Sequence, residues 1–277
     1  MSGMNHLRRL LFAGFLAGAL AAPAVAQDAA APQDWVLTRV REQEALIATA
    51  PFNNGITVVA RCSNNLFALI LTGLPEADPS EPTRELILLV GDETEERPYA
   101  WTVASDRTTA FSRVPALTAR QLIKGGSLQI IVPGPAGGRR TRYVMNLRPS
   151  ESALQETLSR CGHPLVDPRD DLLFGDGKGL PSGFTWVRSP APDFPAATVH
   201  GSVNGGTVTL SCLIRAGGRL TDCEVENEFP PGFNLGLIVR RSMGAARVGQ
   251  SDEARATSQP FEGRRVLFTV NFILASD

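Results

Sequence analysis

Cys212-Leu213-Ile214-Arg215-Ala216-Gly217-Gly218-Arg219-Leu220-Thr221-Asp222-Cys223 reads as two apolar flanks around a paired glycine. Glycine accepts positive φ without steric cost, so Gly217-Gly218 marks a two-residue hairpin turn. That turn sets Ala216 against Arg219 and, further out along the ladder, Cys212 opposite Cys223. The flanks extend to strands over 206–214 and 220–225. Downstream, Leu235, Val239 and Met243 share one side of a helix over 234–246, and Val266, Phe268, Val270, Phe272 and Leu274 alternate along a strand over 264–274. The order ββαβ predicts a helix packed on a three-stranded sheet in a domain over 193–277.

Upstream, Asp167, Asp170, Asp171, Gly175, Gly177, Gly179, Pro181, Pro190 and Pro192 break any periodicity, so 164–192 reads as an interdomain linker. Residues 35–163 read as mostly β, with strands over 56–61, 66–72, 85–90, 128–132 and 143–147. Asn54-Gly55 is a hairpin signal, and 35–48 reads as an earlier antiparallel strand or a short helix. Pro115, Leu117, Gln121 and Leu122 before Lys124-Gly125 suggest a short helix. A second, capped by Ser150 or Ser152, puts Leu154, Leu158 and Cys161 on one face before Gly162 ends it. The expected fold class is mostly β or α+β: a β-sandwich-like domain with a closing helix, then the small ββαβ domain.

The amino terminus reads as an address. Arg8-Arg9 precede the apolar run Leu10 to Ala22, and Ala24-Val25-Ala26 has the small-x-small form of a signal peptidase site. Residues 1–26 are therefore expected to be a cleaved signal peptide, with a disordered mature start over 27–34. A retained anchor is the competing reading, but the run is short of the roughly 20 residues of a spanning helix and contains Pro23. The periplasm is the expected compartment. Cys62, Cys161, Cys212 and Cys223 all follow the signal, and an even number of cysteines in an exported chain favours disulfides. Of three possible connectivities, the hairpin favours Cys212 with Cys223, leaving Cys62 with Cys161. Zinc is disfavoured, since there is no C-x-x-C and His6, His163 and His200 are scattered.

Composition narrows the function classes. The 27 Lys and Arg against 28 Asp and Glu leave no basic excess for a nucleic-acid backbone. There is no G-x-S-x-G, H-E-x-x-H or complete Walker A motif, so no catalytic site, cofactor or metal is expected and the chain reads as a non-enzyme. Gly175-Asp176-Gly177-Lys178-Gly179 could cradle an anion at a helix start, but Pro181 follows, and a flexible linker is the simpler reading. The acidic run Asp167, Asp170 and Asp171 lacks the glycine and distal glutamate of an EF-hand loop. Arg240 and Arg241 fit a helix carboxyl end, where cations complement the dipole. Trp101 and Trp186 read as core.

The segments Phe194-Pro195-Ala196-Ala197, Gly205-Gly206-Thr207-Val208 and Cys212 to Val225, with the helix from Phe233 and the final apolar strand, together resemble the TonB-family carboxy-terminal domain over about residues 190–277. The early Arg61-Cys62 strand and the helix ending in Cys161 more loosely resemble exported invasion-associated locus B-like modules. The first resemblance implies a periplasmic protein-binding module that recognises an extended segment of an envelope or outer-membrane transport partner, such as a TonB-dependent outer-membrane transporter, by strand addition. Strand addition needs an unpaired sheet edge, and Val266, Phe268, Val270, Phe272 and Leu274 mark the candidate edge. The same edge could join two copies as a homodimer. Unlike family energy transducers, the apolar leader contains no histidine and precedes a folded domain. The alternative is an envelope structural or secretion-associated factor that uses the domain as a scaffold.

Overall fold

Two antiparallel hairpin systems organise the chain, described by a computed structural model over residues 34–134, 138–150, 152–192, 205–256 and 261–273. Residues 1–33, which include the expected signal peptide, and His200 and Leu274 lie outside the described residues. Apolar-rich strands, alternating in burial most regularly in β3 and β4, build the first system: β1 (Val36–Val40), β2 (Ala45–Pro51), β3 (Thr57–Ser63), β4 (Leu66–Thr72), β5 (Thr83–Val90), β6 (Pro98–Val103), β7 (Ala110–Ser112), β8 (Gly126–Val132) and β9 (Thr141–Leu147). Residues 35–48, open between strand and helix in sequence, form β1, a 3₁₀ turn at Arg41–Gln43 and the start of β2. Helix α1 (Pro115–Ile123) starts on proline, whose missing N–H costs nothing there. Helix α2 (Ala153–Arg160) has its Leu154 N–H accepted by Ser150 Oγ at 2.8 Å.

The nine strands form one sheet in the order β1-β2-β3-β4-β7-β6-β5-β8-β9, antiparallel at every pairing. A pair of packed sheets was the sandwich expectation; instead a single sheet curls until its ends approach. Arg148 beyond β9 lies 3.9 Å from Asp34 before β1, and Trp35 shares a core with Leu147. The inner face buries Val58, Leu69, Leu71, Leu86, Trp101 and Leu128, and the helices close it with Leu122, Leu154 and Leu158. The Cys62–Cys161 disulfide ties the end of α2 to β3 across Cα atoms 5.6 Å apart.

The second sheet has the order β10-β15-β12-β13-β14-β11, from β10 (Leu173–Phe174), β11 (Phe184–Arg188), β12 (Gly205–Arg215), β13 (Arg219–Phe229), β14 (Arg247–Gln250) and β15 (Arg265–Ile273). Helix α3 (Leu235–Ser242) packs Leu235 and Val239 onto Val208, Leu210, Val266 and Phe268, and α4 (Asp252–Ala256) follows β14. The ββαβ order is present, enlarged from three strands to six. Both outermost strands come from 164–192, which therefore corrects the linker reading: this stretch supplies the two edges of the sheet.

The hairpin turn also differs from expectation. Ala216–Gly218 form a three-residue turn, with Gly217 and Gly218 both at positive φ, and Arg215 rather than Ala216 pairs Arg219. An irregularity between Ser211 and Leu213, with Asp222 at positive φ, then restores the offset that the turn had changed. Cys212 and Cys223 meet as a disulfide, Cα atoms 4.1 Å apart, because the longer turn and the bulge cancel.

The described residues of the two sheets belong to one compact unit. The physical reason is β15, which is buried on both faces. Val266, Phe268 and Phe272 face the α3 core, while Leu267 packs with Val114 and Leu117 at α1. Two disulfides fit an oxidising, exported environment. Among the described residues no helix is long and apolar enough to cross a membrane.

Candidate functional site

The start of the last strand is not the open edge that its apolar pattern suggested. Leu173–Phe174 pair in parallel with Arg265–Val266, and further along Thr269 donates its hydroxyl to the Gly177 carbonyl at 2.5 Å. Val266, Phe268 and Phe272 are core, and Val270 packs against that core. The reading of these side chains as partner contacts is thus corrected: they hold α3 to the sheet.

Gly175 to Lys178 are pinned between the two sheets, which replaces the flexible-linker reading. Ala100 N–H donates to Asp176 O at 2.7 Å, buried Arg113 donates to Gly177 O at 3.0 Å, and Lys178 pairs with Glu85 at 2.7 Å. Gly177 presents its carbonyl to donors here, the opposite polarity to an anion cradle.

Charge locks the neighbouring stretch. Arg120 of α1, with a side chain 6% exposed, grips Asp170 through two bonds of 2.6 Å and lies 3.7 Å from Asp167. Asp167 also takes Arg169 at 2.6 Å, and Arg169 reaches Glu226 on β13 at 3.3 Å. Glu226 accepts from Ser211 Oγ at 2.6 Å, and Arg265 donates to the Ser211 and Asp222 carbonyls. Two of the acidic residues in the run 167–171 are therefore arginine partners. Among the described residues, no group of three or more His, Cys, Asp or Glu is placed to hold a metal ion.

Beyond Glu226 the contact opens into a groove of about 700 Å³. One wall is the β3–β4 hairpin, Arg61 to Ala68, with Phe111, Cys161 and His163; the other is β13 from Val225 to Phe229 and α3 through Leu237 and Arg240. Five consecutive residues of one strand line it. Since successive side chains point to opposite faces, such a run lines a groove only along the strand's edge. The pairing agrees: β13 runs against β12 over nearly its whole length, but among the described residues it meets β14 only at Arg219↔Arg247.

The groove floor is a seam between the halves. Asn227 Nδ2 donates to Ser112 O at 3.2 Å, and the rings of Phe111 and Phe229 lie 5.8 Å apart. His163 stands edge-on to Phe67 at 5.5 Å; burial holds its imidazole below the ordinary 6.5, with Arg120 and Arg169 acting in the same direction. Burial pushes the Glu226 carboxyl up, against the pull of Ser211 and Arg169. Glu228 turns inward to accept Gly232 N–H at 3.0 Å and Gly236 N–H at 2.8 Å, supplying the amino end of α3 with an anion. Gly236 is required there, because a Cβ would sit 2.7 Å from Val225 Cγ1.

Sequence reading placed neither wall of this groove. Its available signals were Arg61 beside Cys62 and Arg240 at a helix end, each ordinary in isolation. Trp101 is core, and Trp186 stacks edge-on against Phe268 at 5.3 Å. Comparisons of the chain with protein-family models, curated proteins and solved structures found no match.

Proposed function

We propose that the protein is a periplasmic, non-enzymatic protein-binding module that accepts an extended segment of an envelope partner as an added strand along the free edge of β13. The observation that carries this reading is an edge strand left unpaired inside a groove instead of on open surface. Main-chain hydrogen bonds along such an edge supply affinity, and the groove walls supply side-chain contacts. A walled edge also admits one strand while hindering sheet-to-sheet aggregation. The periplasmic setting rests on the two disulfides and the signal-like leader. The TonB-like pattern of the carboxy-terminal third supports the same class of partner, a segment of a transport protein, through a different strand from the one expected.

Calorimetric titration with a capped peptide of alternating threonine and valine tests this reading. Saturable binding to the wild type is expected, lost on Leu237→Trp, which fills the groove from an exposed position 39% accessible. Binding of equal strength to both proteins, or none to either, overturns it. The second outcome would leave the scaffold alternative.

A further inference from the structure

The charges around the groove select among extended segments. Four lining residues carry formal charge: Arg61, Glu226, Glu228 and Arg240. Both carboxylates are already engaged by the protein. Glu226 is held by Arg169 and Ser211, and Glu228 by the two amide N–H groups at the start of α3. Neither arginine is so engaged: among the described residues, no carboxylate lies within ion-pairing distance of Arg61 or Arg240. They belong to opposite walls, Arg61 on β3 and Arg240 in the last turn of α3. The groove therefore has two uncompensated cations, one per wall. The same groove is lined by Leu66 and Leu237, which keep 37% and 39% of their surface accessible.

We infer that the occupant is an acidic extended segment of another protein, with carboxylates that meet Arg61 and Arg240 and apolar side chains that cover Leu66 and Leu237. This rests on the strand-addition reading and adds the chemistry of the strand. Arginine's fork suits carboxylate bidentately, and a cation on each wall fixes the register of an otherwise sequence-tolerant strand by the positions of its carboxylates. Two part-exposed ion pairs give on the order of fivefold in affinity, diminishing as salt rises.

Three capped peptides on one threonine–valine pattern test this, with threonines replaced by glutamate, left unchanged, or replaced by lysine. The expected order is glutamate over threonine over lysine, with the glutamate advantage of about fivefold reduced at high salt. Arg240→Gln, at an exposed site, narrows the ratio of glutamate-peptide to threonine-peptide affinity; Arg61→Gln is the independent second variant from the other wall. Equal binding of all three peptides overturns the acidic preference and leaves strand addition standing. A glutamate advantage that survives both substitutions assigns it elsewhere and also overturns the inference. Failure of all three to bind removes strand addition itself.

Discussion

The contact between the curled sheet and the six-stranded sheet is built in two styles. Around Arg120, which also borders a cavity of about 600 Å³, the buried guanidinium is paired with Asp170 and Asp167, and Gly175 to Lys178 fill the space between the sheets. A few residues away, along Val225 to Phe229, the same contact is left open, with a strand edge and two arginines that find no strand or carboxylate partner among the described residues. Glu226 stands at the boundary, tied to Arg169 on one side and lining the groove on the other. The closed stretch holds the two sheets at a fixed spacing, and that spacing keeps the open stretch wide enough for a strand. In this account rigidity and binding capacity are adjacent parts of one interface.

If the closed stretch is the lock, its arginine is the costliest residue to remove. Arg120→Ala leaves partly buried Asp170 without its cation, while Asp167 keeps Arg169, and breaking such a pair costs about 3 to 5 kcal/mol. Urea denaturation of the variant should show that loss, and a change below about 1 kcal/mol would falsify the lock. The disulfides sharpen the comparison at the next level. Cys62–Cys161 closes a sequence separation of 99 residues and Cys212–Cys223 one of 11. Chain entropy then gives the first about 4.7 kcal/mol and the second about 3 kcal/mol. Paired serine substitutions should reproduce that order in unfolding midpoints; equal losses would mean native-state effects dominate.

The smallest effect concerns pH. His163 has a folded-state pKa below its unfolded value, so the folded state binds fewer protons and its contribution is full above pH 6.5 and lost as pH falls through the folded value. Glu226 runs oppositely: its raised value makes its contribution full below the ordinary carboxyl range and lost as pH rises through the folded value. His163→Gln should therefore reduce the stability lost between about pH 7 and pH 5. An unchanged or steeper loss would show that the His163 environment near Phe67 does not penalise its charged form.

What sequence revealed and what it hid have separate physical causes. Strands such as Leu66–Thr72 were legible as short apolar runs between turn residues, here Asn64-Asn65 and Gly73. Helices α1 and α2 were legible from proline, serine and glycine punctuation. Strand β14 was hidden because only Val248 of its four residues is apolar, and β11 because glycine and proline surround it. The paired cysteines were legible despite a wrong turn length, since the bulge near Asp222 compensated for it. β15 misled because alternation reports one apolar face and is silent about what Leu267 and Thr269 meet on the other. The groove had no local signature at all. Its walls come from 61–68 and 225–240, and only the folding of one sheet against the other brings Arg61 and Arg240 to the same space.

The most direct test of the central claim is amide hydrogen exchange of the intact protein with and without the glutamate-bearing peptide. The account predicts added protection at Thr221 to Phe229, with the outer strand β11 and the end of β15 unchanged. Protection confined to Val270–Ile273 or to Phe184–Arg188, with none along β13, would contradict it.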